Sequence, residues 1–77
     1  MTTPLQQILN EVGYEFIRAT AKHGPHRSAH ESYGVLCEEM DEFFDEVKKQ
    51  TIEKDLMRKE LIHVASTAVR AIYDLCL

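Results

Sequence analysis

The chain has little that could staple it, anchor it or bind it to a charged polymer. Only two of its 77 residues are cysteines, Cys37 and Cys76, and they form no CxxC pair. A disulfide framework is thereby excluded, and both are expected as buried or half-buried thiols in a reducing compartment. Long apolar runs are also missing. Nothing approaches the roughly 20 apolar residues that cross a bilayer. Met1-Thr2-Thr3-Pro4 supplies neither the basic start nor the apolar core of a secretory signal. A soluble, cytoplasmic protein with no membrane partner is expected. Positive charge is scarce: nine Lys and Arg stand against thirteen Asp and Glu, a formal charge of −4. That balance argues against a sequence-independent grip on polymeric nucleic acid. Strand-like alternation, internal repeats and low-complexity segments do not occur, so the one periodic signal left is helical.

Three helices follow from that signal. Thr3-Pro4-Leu5-Gln6 is a capping pattern with proline at the first helical position. Leu5, Ile8, Leu9, Val12, Phe16 and Ile17 then recur at three- and four-residue steps, and Gly24-Pro25 ends the run after the cations Lys22 and His23. Ser28-Ala29-His30-Glu31 opens a second helix, expected over 29–49, with an apolar stripe of Tyr33, Leu36, Met40, Phe43, Phe44 and Val47. A third is expected from near Ile52 to Leu75. Met57, Leu61, Val64, Ala65, Ala68, Ile72 and Leu75 lie on one side of it, and Ile62, Val69, Tyr73 and Cys76 widen that face. Short connections predict antiparallel neighbours. A domain of this size is marginal alone. The expected fold is therefore all-α: one domain, residues 1–77, an antiparallel bundle of three helices per chain completed by oligomerisation.

The chemistry concentrates in Glu38-Glu39-Met40-Asp41-Glu42-Phe43-Phe44-Asp45-Glu46, which has six carboxylates in nine residues. Glu38, Glu39 and Glu42 fall within about 100° of one another on a helix. Glu39 and Glu42, at i and i+3, can point at one ion, and hard divalent cations take such oxygen ligands. Glu60 flanks the stripe of the third helix, where antiparallel packing would set it opposite them. Spacing alone favours a solvated acidic face over a cation site.

The order of the whole stretch resembles the MazG-like, all-alpha nucleoside triphosphate pyrophosphohydrolases. That family's first metal motif, Glu-Glu-x-x-Glu, is matched by Glu38, Glu39 and Glu42. The place of its second, Glu-x-x-Asp, is taken by Glu60-Leu61-Ile62-His63, after 17 intervening residues. The resemblance spans about residues 22 to 74. It implies cleavage of an NTP or dNTP between the α- and β-phosphates, giving a nucleoside monophosphate and pyrophosphate, with Mg²⁺ or Mn²⁺ as cofactor. It further implies Glu39, Glu42 and Glu60 as metal ligands, with Glu38 as a nearby ligand or a base that orients water. Lys22, Arg27 and Lys59, with Lys48 and Lys54, are then candidates to meet phosphate oxygens, and the protein is expected as a homodimer or homotetramer.

The departure is His63, where the family has Asp. A neutral imidazole is a poor Mg²⁺ ligand and an acceptable one for Mn²⁺, Zn²⁺ or Ni²⁺. The site then works with more water, takes another metal, or is inactive; a half-buried polar role for His63 is equally open. If the site is inactive, the chain is a non-catalytic helical binding module. His23, His26 and His30, around the Gly24-Pro25 break, are expected as solvated helix-end groups. Cys37 has no base near it in sequence and is not expected to be a nucleophile.

Overall fold

The computed structural model describes residues 2–77; Met1, and with it the start of the tetrapeptide read above, lies outside the described residues. Three helices form: α1 (Pro4–His23), α2 (Ala29–Val47) and α3 (Lys54–Asp74). No strand occurs among the described residues.

Local chemistry sets the boundaries. Thr3 accepts the Gln6 N–H at its hydroxyl, 3.1 Å away, which satisfies one of the first orphan donors of α1. Gly24 ends that helix at φ +77°, where a side chain would be strained, and its N–H donates to Thr20 O. Ser28 caps α2 by accepting from Glu31 N–H at 3.1 Å. Glu31 does not close the reciprocal half of a capping box; its carboxylate accepts from Arg27 N–H at 3.2 Å instead. α2 stops at Val47, two residues short of expectation: Lys48 N–H still makes the helical bond to Phe44 O, but Lys49 N–H turns to Glu46 O, three residues back, and the ladder ends there. Glu53 is extended, so α3 begins at Lys54 and not near Ile52.

The packing differs from a simple series of antiparallel neighbours. α3 lies against both α1 and α2, while the α1 and α2 backbones make no close approach. Arg58 pairs with Glu11 near the start of α3, and Arg70 reaches Gly24 O near its end. α1 and α3 therefore run in the same direction, and α2 runs against them. α1 and α2 stay apart because the residues facing each other are charged: Glu15 and Arg18 on one side, Glu38, Glu39 and Glu42 on the other. Close packing would strip these groups of water without pairing them all. The result is a cleft between α1 and α2 with α3 as its floor.

The core is correspondingly unusual. Among the described residues the only buried hydrophobic ones are Val12 and Ala19, whereas the polar His26, Ser32, Ser66, Thr67 and Arg70 are buried too. Much of the expected apolar stripe is exposed within one chain, including Leu5, Leu9, Ile17, Tyr33, Met40, Phe44, Val47, Leu61 and Ile72. α3 turns a polar row inward (His63, Ser66, Thr67, Arg70, Asp74) and an apolar one outward. Both cysteines are exposed, contrary to expectation. Cys37 lies on the outward stripe of α2, and Cys76 follows the end of α3 at φ +57°. His26 also departs from expectation. It is 5% exposed, with Nδ1 2.6 Å from Ser32 Oγ and its backbone N–H donated to Asp74 Oδ2 at 2.7 Å. It closes the α1–α2 turn onto α3, while His23 and His30 are exposed as expected. No described helix is long and apolar enough to cross a membrane.

Candidate metal centre

The cleft holds about 330 Å³, within the size range of small-molecule sites. Its acidic end is built from two helices running in opposite directions. Glu39 and Glu42 come from successive turns of α2, and Glu60 and His63 from successive turns of α3. Each offers one ligand atom, and the four atoms lie within 4.8 Å of one another. His63 Nδ1 is 3.5 Å from Glu60 Oε2 and 3.6 Å from Glu39 Oε2. Glu42 is exposed at the mouth; the other three are half-buried.

These groups fit a cation. Glu39 Oε2 and Glu60 Oε2 are buried without any hydrogen-bond partner. A carboxylate oxygen in that state loses water and gains nothing in return unless a cation or proton sits beside it. Burial, then the charge of Glu42, pushes the Glu39 carboxyl above the usual range. Burial, then contact with the Glu42 carboxyl, does the same to Glu60. Three crowded carboxylates with one imidazole form a mixed oxygen and nitrogen donor set, which suits Mn²⁺ or Zn²⁺ as well as Mg²⁺.

Glu15 joins this centre from α1, and no sequence pattern marks it. Its Oε1 lies 3.5 Å from His63 Nε2. Arg18 grips it with Nε at 2.8 Å and Nη2 at 2.5 Å, which holds the Glu15 carboxyl below the usual range. A carboxylate behind the far nitrogen of a metal-facing histidine fixes which nitrogen carries the proton. Here it would leave Nδ1 turned toward Glu39 and Glu60.

The other residues singled out from the sequence are placed differently. Glu38 lines the cleft and is exposed. Lys59 lines a separate, wider depression on the other side of His63, with Glu11, Tyr14 and Arg58. Lys22 and Arg27 are exposed and line neither. The cations that do line the cleft are Arg18 and Arg70.

The shifted carboxyls set a pH dependence. Glu39 and Glu60 hold protons in the folded chain at pH values where the unfolded chain has released them. Their contribution is thus fully present below the ordinary value of 4.5 and is lost as pH rises through the raised values. Glu15 acts oppositely: its contribution is present above 4.5 and is lost as pH falls through its lowered value. In EDTA, Glu39→Gln should gain melting temperature over the wild type as pH rises from about 5 to 7. Thermal melts followed by circular dichroism would measure this, and a difference that is flat with pH would contradict the crowding described here.

No protein-family model, curated protein or solved structure matches this chain, so the functional reading stands on the geometry of the cleft and the sequence that builds it.

Proposed function

We propose that the protein is an oligomeric, metal-dependent nucleotide pyrophosphohydrolase of the MazG-like type, acting in the cytoplasm on an NTP or dNTP. The observation that carries this reading is the convergence of Glu39, Glu42, Glu60 and His63, with two buried carboxylate oxygens that have no hydrogen-bond partner. Both motifs of the resemblance contribute to one cluster, across two helices, which a merely solvated acidic face has no reason to do. Mg²⁺ or Mn²⁺ would supply charge neutralisation at the phosphates and a water of lowered pKa. Glu39, Glu42 and Glu60 would hold the ion, Glu15 would orient His63, and Glu38 at the rim would orient water.

His63 favours a second reading, a binding module that keeps the metal and does not turn over. The two separate cleanly. Purified protein with Mn²⁺ or Mg²⁺, offered a panel of NTPs and dNTPs, is expected to release a monophosphate and pyrophosphate, followed by phosphorus NMR. His63→Asp should raise the Mg²⁺-supported rate relative to the Mn²⁺-supported one, because it replaces an imidazole by a hard oxygen ligand. Silence of the wild type and of His63→Asp with both metals would remove the enzymatic reading.

The oligomer belongs to the same proposal. Tyr33, Cys37, Met40, Phe44 and Val47 lie on α2 at steps of four, three, four and three, the spacing of a coiled-coil seam. All five are exposed in one chain. Leu61, Ala65, Ala68 and Ile72 repeat the pattern on α3, where small residues permit close helix approach. A second copy of the chain covering these rows would give the protein the apolar core that one copy lacks.

A further inference from the structure

The end of the cleft opposite the carboxylates carries a different chemistry. Arg70 is 4% exposed. Its Nη2 donates to Gly24 O at 2.7 Å, and its Nε is buried with no partner. Among the described residues it makes no salt bridge; Glu15 interacts with it only at longer range. A guanidinium is always charged, and a buried charge needs a counterion within reach. Two further polar groups lining the same cleft are in the same state. Ser66, one turn before Arg70 on α3, is 1% exposed, and its Oγ has no partner. His26 is 5% exposed, and its Nε2 has no partner. Where Ser32 Oγ–H donates to Nδ1, the His26 proton sits on Nε2, so all three groups are donors. Each of these residues lines the cleft.

We propose that Arg70, Ser66 and His26 form an oxyanion subsite, which takes one phosphate of a polyphosphate chain whose further phosphates reach the carboxylate cluster. Three donors that are more than nine-tenths buried and line one cleft, with a guanidinium lacking a counterion, match the valence of a phosphate oxygen face. The subsite deepens the reading above and rests on it for the identity of the anion as a phosphate. It also explains why the cleft needs no lysine: Arg70 is the phosphate cation, held in place by its bond to the turn carbonyl. The surrounding acids, Glu31 and Glu38 at the rim and Asp74 behind His26, disfavour an anion that arrives without a metal. Phosphate is therefore expected to bind more tightly after the metal.

The probe is inorganic phosphate, titrated into the ¹⁵N-labelled full chain in EDTA and again in Mg²⁺. The Arg70 Nε–H, the Ser66 amide and the His26 ring signals should shift saturably, at lower phosphate concentration with Mg²⁺ than without. Ser66→Ala, which removes one hydroxyl and no packing of note, should weaken that binding about tenfold. Arg70→Lys, which keeps the charge and loses Nε, should weaken it at least as much. Shifts confined to exposed lysines, or an unchanged affinity in Ser66→Ala, would overturn the subsite. If Mg²⁺ perturbs Glu39 and Glu60 while phosphate leaves Arg70 unmoved, the subsite falls and the metal centre stands. If phosphate moves Arg70 while Mg²⁺ binds nowhere, the subsite stands and the metal reading falls.

Discussion

Glu39→Gln is expected to lose turnover by on the order of 10³ or more while keeping the helical circular dichroism of the wild type. The magnitude follows from what a metal supplies to phosphoryl chemistry, several kcal/mol of charge stabilisation, at about 1.36 kcal/mol for each factor of ten. Glu39 is the residue to test because it stands at the centre of the cluster. Its Oε2 is buried without a partner, faces His63 Nδ1, and belongs to a carboxyl already pushed upward by burial and by Glu42. Glutamine keeps the shape and removes the charge. It also removes a buried repulsion, so the variant should be at least as stable as the wild type without metal. Loss of activity together with undiminished stability separates a ligand role from a packing role. Steady-state release of pyrophosphate, measured beside thermal melts, checks both at once. A variant that retains most of its activity would take Glu39 out of the chemistry.

The second large effect concerns assembly. Phe44→Asp is expected to weaken self-association by about 30-fold or more, the equivalent of roughly 2 kcal/mol for a central aromatic in an interface. Phe44 is 55% exposed in one chain, with Lys48 Nζ 5.0 Å from its ring centroid, and it sits within the Tyr33–Val47 row of α2. An aspartate there meets apolar surface in the assembly and water in the separated chain. Since one chain buries so little hydrophobic surface, dissociation should also lower the melting temperature and make it depend on protein concentration. Sedimentation equilibrium of the two proteins reads the effect directly. A wild type that is monomeric at 100 μM or so, with a melting temperature independent of concentration, would contradict the proposed assembly.

The helices were legible because their signals are local. Thr3, Gly24 and Ser28 cap where their chemistry says they should, and three-and-four spacing marks each helix between them. Spacing put Glu39 and Glu42 on one edge of α2 and Glu60 beside the stripe of α3, but only the resemblance singled out His63 and turned the acidic face into a cation site; the structure brings the four together. The inward side was harder to read. The broad apolar surface of α3 suggested that its core lay there, yet within one chain α3 buries Ser66, Thr67 and Arg70 and half-buries His63 and Asp74 instead. Apolar periodicity identifies a face that leaves water; it does not say whether the same chain or another covers it. Glu15 and Arg18 were hidden for a related reason. Their place in the cleft depends on α1 lying alongside α3, two elements that are not consecutive, and no spacing rule within one helix carries that information. His26 was read as solvated because its sequence neighbours are turn residues; its burial comes from Asp74 and Ser32, 48 and 6 residues away.

The proposed function requires that the cluster of Glu39, Glu42, Glu60 and His63 hold a divalent cation. Titration of the metal-free protein with Mn²⁺, followed by calorimetry, tests that most directly. The expected result is saturable binding that Glu39→Gln and Glu60→Gln each weaken by about 100-fold, at least the cost of disturbing a metal site's outer shell. Absence of saturable binding in the wild type, or equal binding in all three proteins, would contradict it and leave these carboxylates as an acidic surface.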